Sequence, residues 1–223
     1  MKKILFLCVV LLFASSVFAQ ERYVKPVDDA AKDASFLAFR KRLIAAVDKK
    51  DAKFIYSILD PKIELSYGGD AGIADFKRIW EPEKKTSKFW VEFSRVIKNG
   101  GAFYEAGGRK LGGFAAPYTY SNFPDSPDLD LFEHSVIFGN NVNLREGPSM
   151  DAKVLGQLSY NIVTLTGNKL KPGDEEADWY QVKTFGGKAG WIKAEYVRSP
   201  IDLRAGFEKK RGQWKMVFFI AGD

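Results

Sequence analysis

Val142-Asn143-Leu144-Arg145-Glu146-Gly147-Pro148-Ser149, followed by Val154-Leu155-Gly156-Gln157-Leu158, opens the stretch whose reading decides the fold. Ile162-Val163-Thr164-Leu165-Thr166-Gly167, Asp178-Trp179-Tyr180-Gln181-Val182-Lys183 and Ala189-Gly190-Trp191-Ile192 continue it, and Tyr196-Val197 ends it. Short alternating runs separated by Gly, Pro, Asn and Asp are the pattern of a small all-β module. Residues 133–198 are therefore expected to form one closed β-barrel, with His134 at the mouth of its first strand.

The order and spacing of these runs resemble a bacterial SH3 (SH3b) domain. Asn143, Leu144, Arg145, Gly147 and Pro148 form the most recognisable part, with Gly-Pro supplying turn geometry and Arg145 supporting the loop. The resemblance implies a module that binds or positions a partner, in which exposed aromatic faces hold an extended peptide. It implies that Trp179 or Tyr180, and Tyr196 or Tyr160, line such a groove, and that Trp191 is structural. Alternation places Trp179 and Gln181 on one face and Tyr180 and Val182 on the other, so one of the adjacent aromatics belongs to the core. Asn168 to Ala177 departs from the family pattern as a longer, charged loop that would cover or enlarge one end of the groove.

The first residues bear on compartment. Lys2 and Lys3, the apolar run Ile4 to Phe13, and the small residues ending at Ala19 read as a secretory signal peptide over 1–19, cut after Ala19. Cys8 is the only cysteine and lies inside the apolar run, so a lipid-anchoring role is not expected and the mature chain lacks cysteine. Export without disulfides fits a periplasmic or secreted bacterial protein held by its hydrophobic core. Processing lowers the formal charge from +6 to +4, leaving 32 basic residues against 28 acidic ones. That mild excess, with no dense basic run, argues against nucleic acid. No later segment has the roughly 20 apolar residues of a membrane helix.

Upstream of the barrel the pattern changes. Residues 20–33 are polar and read as a loose lead-in, after which Phe36, Phe39, Leu43 and Val47 recur at helical spacing. Phe54, Ile55, Ile58 and Leu59 form a second short helix stopped before Pro61, and Ile63 to Tyr67 alternates as a strand. Asp70 is placed to cap a third helix carrying Ile73, Phe76, Ile79 and Trp80. Thr86 or Ser87 is placed to cap a fourth, with Phe89, Trp90, Phe93, Val96 and Ile97 buried. A glycine-interrupted hairpin from Phe103 and a proline-bounded connector follow. After the barrel, Leu203–Lys209 and Trp214–Ile220 form a hairpin with Trp214, Met216, Phe218 and Ile220 on one face, too apolar for a free tail. The expected fold class is thus α+β: a domain over 20–132, completed by 199–223, with the SH3-like barrel inserted. Its element order and Lys49-Lys50-Asp51-Ala52 resemble the cone-shaped nuclear-transport-factor-like fold.

Catalytic classes fall away on residue types. Cysteine peptidases of the cell wall need a thiolate and zinc amidases need several histidines, whereas this chain offers Cys8 and the single His134. No Gly-x-Ser-x-Gly elbow accompanies His134, which reads as an ordinary boundary residue. Two carboxylates suffice for glycan cleavage, and Glu64, Asp70, Asp75, Glu92 and Glu105 are the candidates. Glu92 beside Lys88 and Arg95 reads as part of a solvated stripe. The glycine loops Tyr67–Gly72 and Gly107–Gly113 lack the lysine or the strand-to-helix context of a nucleotide loop. The resulting expectation is a non-catalytic envelope protein, without metal or cofactor, that binds a cell-wall peptide. A protein-assembly module is the alternative, and a muramidase-like enzyme the third reading.

Overall fold

A computed structural model describes residues 20–167 and 178–222. The expected signal segment with Cys8 and the loop Asn168 to Ala177 lie outside the described residues. The chain is α+β, and its strands form two sheets.

Helix α1 (Ala34–Asp48) starts where Asp33 accepts hydrogen bonds from the Ser35 and Phe36 amides at 2.7 and 2.9 Å. Its Phe36, Phe39, Leu43 and Val47 are buried, as the spacing predicts. Helix α2 (Ala52–Ile58) is capped by Asp51. Helix α4 (Phe89–Ile97) buries all five expected residues, and Ser87 Oγ accepts the Phe89 amide at 3.1 Å. Helix α3 (Gly72–Trp80) differs from expectation, because the chain takes one further extended residue, Ala71, before it begins. Asp70 then stands outside the first turn, bonded to Ser66 and Arg78, and Asp75 takes the Ala71 amide instead.

The first sheet runs β1-β12-β11-β3-β2, with β1 (Leu59–Glu64), β2 (Ala102–Ala106), β3 (Arg109–Ala116), β11 (Arg204–Lys210) and β12 (Gln213–Ile220). The C-terminal hairpin thus lies in the middle of a sheet whose other strands precede residue 117. β1 pairs with β12 in parallel and begins at Leu59, earlier than alternation suggested. Pro61 is tolerated there because β1 is an edge strand. The β2–β3 turn places Gly107 and Gly108 both at positive φ (56° and 70°), the geometry of a two-residue hairpin loop.

β12 does not keep the strict alternation expected of it. Gly206 pairs with Phe218 and Phe207 with Met216, so Val217 is an extra residue. This bulge switches the inward face from Trp214 and Met216 to Phe219, and leaves Phe218 half-buried. Phe219 packs against Trp80, Phe89 and Phe93, with ring centroids 4.8–5.9 Å away.

The second sheet runs β10-β4-β7-β8-β9-β5-β6. Its strands are β4 (His134–Ile137), β5 (Val142–Arg145), β6 (Val154–Leu158), β7 (Ile162–Leu165), β8 (Trp179–Thr184), β9 (Ala189–Lys193) and β10 (Val197–Arg198). They wrap a core that includes Ile137, Leu144, Leu158, Val163, Tyr180 and Ile192. The expected closure is not a continuous ladder, since β10 and β6 are the ends of the sheet.

The lead-in is not loose. Val24 is fully buried, its amide bonds to Tyr160 O at 2.9 Å, and Arg22 O accepts the Ile162 amide at 2.8 Å. Glu21 accepts hydrogen bonds from Thr184 Oγ1 at 2.9 Å and Asn161 Nδ2 at 3.2 Å. Further on, Asp28 pairs with the buried Arg40 at 2.6 Å. One strap therefore runs from the second sheet to helix α1 and to Gly101 just before β2, and its polar composition reflects hydrogen bonding along the way.

Candidate functional site

The outward faces of β8 and β9 carry two half-buried tryptophans, Trp179 and Trp191. Register sets Trp179 opposite Lys193 and Gln181 opposite Trp191, with Arg145 paired to Trp191. Arg145 Nη1 donates to Ala152 O at 2.9 Å, which braces the loop after β5 as expected. Trp191 is half-exposed on this outer face.

Beside this face lies a groove of about 210 Å³. Trp179 and Tyr196 both line it, the latter 40% exposed. Asn141, Asn143 and Met150 contribute from the β4–β5 turn, β5 and the following loop, and Lys193 and Glu195 form an ion pair at 3.0 Å on its wall. The surface therefore joins aromatic faces to amide groups able to bond a peptide backbone.

The other two expected groove residues stand elsewhere. Tyr180 is only 5% exposed and is the core member of the adjacent pair, because alternation along β8 turns it inward with Val182. Tyr160 adopts φ +60° at a turn and lines a separate hollow of about 340 Å³ with Pro26–Asp28, Lys98–Gly100, Tyr118 and Phe138. There its ring meets Tyr118, from helix α5 (Tyr118–Ser121), edge-on at 6.3 Å, and Tyr118 stacks on Phe138 at 5.7 Å. Burial pushes the Tyr118 hydroxyl well above its ordinary pKa, consistent with a packing role in that seam.

Sequence reading did not find Asn141, Met150, Lys193 or Glu195. The exposed Met150, uncommon on a polar loop, was the one signal available.

The candidate carboxylates are dispersed. Asp70 and Asp75 both pair with Arg78, at 2.7 and 2.9 Å, while Glu64 and Glu105 are exposed. Glu92 is half-buried on α4, 3.9 Å from Arg95. His134 Nδ1 accepts the Asp130 amide at 3.0 Å and its ring stacks on Phe185, which is the boundary role expected of it. Among the described residues no cluster of His, Cys, Asp and Glu could hold a metal ion, and no helix is long and apolar enough to cross a membrane.

A family model described as the bacterial SH3 domain matches residues 140–198, from the turn before β5 through β10. This is the part of the chain that builds the Trp179–Tyr196 groove. No family model matches the N-terminal region, and comparison with curated proteins finds no match.

Proposed function

We propose that this chain is a non-catalytic, exported envelope protein whose SH3-like barrel binds cell-wall peptide through the Trp179–Tyr196 groove. The single observation that carries the reading is that these two aromatics, from β8 and from the turn before β10, line one groove beside polar amides. Such a surface suits an extended peptide: apolar side chains lie on the rings, and the backbone bonds to Asn141 and Asn143. In this reading the segment 1–19 directs export and is removed after Ala19. The barrel is an insertion in a discontinuous α+β domain, a division supported by the place of β11 and β12 between β1 and β3.

Sedimentation of the purified protein with isolated sacculi tests the binding. The parent is expected in the pellet, and a folded Trp179→Ala/Tyr196→Ala variant in the supernatant. Tyr180→Ala is unsuitable for this purpose, since truncating a core tyrosine unfolds as well as unbinds. Failure of the parent to sediment would overturn the reading.

A protein partner is the second reading, favoured by one feature. Strand β6 is a sheet end, and it exposes Val154 and Leu155 near Met150 of the preceding loop. It predicts co-purification of a defined envelope protein that added muropeptides do not displace.

A further inference from the structure

Between helix α4 and the barrel lies a cleft of about 580 Å³, larger than the aromatic groove and lined by different chemistry. Lys88, Glu92 and Arg95 face it from α4 and its start, and Asp178, Lys193 and Glu195 from the barrel. Its volume falls within the roughly 300–1,000 Å³ of small-ligand sites. Lys193 and Glu195 line both this cleft and the aromatic groove, but Trp179 and Tyr196, which carry the peptide-groove reading, do not line the cleft.

Arg198 is the unusual member of this lining, because it is only 4% exposed. Its Nη2 donates to Leu203 O, its Nη1 stands 3.4 Å from Asp202, and Phe138 lies beneath the guanidinium at 5.7 Å. A guanidinium carries five N–H donors, so these partners leave capacity for an oxyanion. Burial depresses the Arg198 pKa, Asp202 opposes that effect, and the neighbouring charge of Arg95 adds to it. The protein thus holds a buried cation, paired with Asp202, at the edge of a cleft with a second arginine nearby. Buried charges in clefts of this kind concentrate at binding sites.

The cleft is not simply anion-seeking. Glu92, Asp178, Glu195 and Asp202 line it as well, and among the described residues neither Lys88 nor Asp178 forms an ion pair. A polyanion meets those carboxylates and a polycation meets Arg95 and Arg198, whereas a ligand carrying both charges satisfies each wall.

We propose that this cleft binds a zwitterionic amino-carboxylate, a short peptide with both ends free, with Arg198 and Arg95 taking its C-terminal carboxylate and the Asp178–Glu195 wall its N-terminal ammonium. The alternative role for Arg198, a staple between β10 and the connector that carries Asp202, predicts no response to any ligand.

The test is a titration of the 15N-labelled full chain with alanyl-alanine, its C-terminal amide, its N-acetyl derivative and inorganic phosphate. Alanyl-alanine is expected to give saturable shifts at the Trp80 indole and the amides of residues 194–199 and 201–203. Each blocked analogue should bind at least about tenfold more weakly, having lost one charge-assisted contact. Arg95→Gln and Lys88→Gln alter exposed side chains that leave the fold intact, and the first should weaken the dipeptide severalfold. Arg198→Lys, checked for folding by its spectrum, should weaken it further through loss of the bidentate fork. Absence of saturable shifts overturns the proposal, as does equal binding of the amide. Phosphate binding as tightly as the dipeptide would replace it with a plain anion site. Because sacculus sedimentation reads Trp179 and Tyr196, either site can fail while the other stands.

Discussion

Trp214 Nε1 donates to Ser35 Oγ at 3.0 Å, joining residues 179 positions apart. The same hydroxyl receives Lys209 Nζ at 2.9 Å and donates to Asp33 Oδ1 at 2.6 Å. Asp33 is the cap of α1 and Trp214 lies in β12, so the first turn of the first helix is fixed to the last hairpin. Phe36 adds to the joint, packing edge-on to Trp214 at 4.8 Å.

This link predicts energetic coupling. Trp214→Phe keeps the apolar contact and removes the donor, at an expected cost of about 1 kcal/mol. Ser35→Ala should cost a similar amount, and the double variant less than the sum. A double-mutant cycle from urea denaturation measures the difference. Additive effects would mean that the helix cap and the hairpin do not communicate.

Acid should loosen the same joint. The Ser35 hydroxyl, aided by the Phe36 and Ser35 amides against opposing burial, holds the Asp33 carboxyl below its ordinary pKa. Burial opposes a lowered pKa at Asp60 too, but Lys210 at 2.8 Å and the Lys62 amide outweigh it. A pKa lower in the folded than in the unfolded state stabilises above the unfolded value of about 3.9. That stability is lost as pH falls through the folded pKa. Asp33→Ala should therefore cost about 1 kcal/mol near neutrality, and the gap to the parent should close below about pH 4. Urea midpoints across a pH series check the sign; a gap that widens in acid would refute it.

The glycines of the first sheet carry a second testable relationship. Tyr104 pairs across the strands with Gly113, and Phe218 with Gly206. A Cβ on Gly113 would lie 2.2 Å from Tyr104 Cζ, and one on Gly206 2.0 Å from Phe218 Cε1. Each ring therefore lies over the bare backbone of its partner strand, which explains glycine within these strands. Gly206→Ala is expected to cost about 1–3 kcal/mol by overpacking. Adding Phe218→Ala should recover part of that loss, and thermal melts of the single and double variants would show it.

Legibility in the sequence followed the kind of interaction involved. Helices α1 and α4 were readable because one apolar stripe marks each of them locally, whereas the Asp33 cap of α1 fell in a segment read as a loose lead-in. The phase of β12 was not, since the bulge at Val217 is set by its partner strand. Alternation separated Trp179 from Tyr180 but could not say which faced the core. Tyr196 met Trp179 in one groove, whereas Tyr160 was drawn into the seam by Tyr118. The cleft around Arg198 was invisible, because α4 and β10 meet only in the folded chain. Residues 20–24 misled for a related reason: hydropathy does not register a segment held by backbone hydrogen bonds and one carboxylate.

That strap yields the last prediction. Glu21 occupies the donors of Thr184 and Asn161, with Lys188 3.7 Å away. Glu21→Ala strands these groups in a part-buried position, at an expected cost of about 1–3 kcal/mol. Hydrogen exchange locates the effect. The Ile162 amide, bonded to Arg22 O, and the Val24 amide, bonded to Tyr160 O, should lose protection together. Amides of α1, anchored separately through Asp33, should keep theirs. Loss of protection throughout the chain would instead make the strap part of one cooperative unit joining both sheets. Unchanged exchange at Ile162 would show that Glu21 contributes nothing to holding the strap.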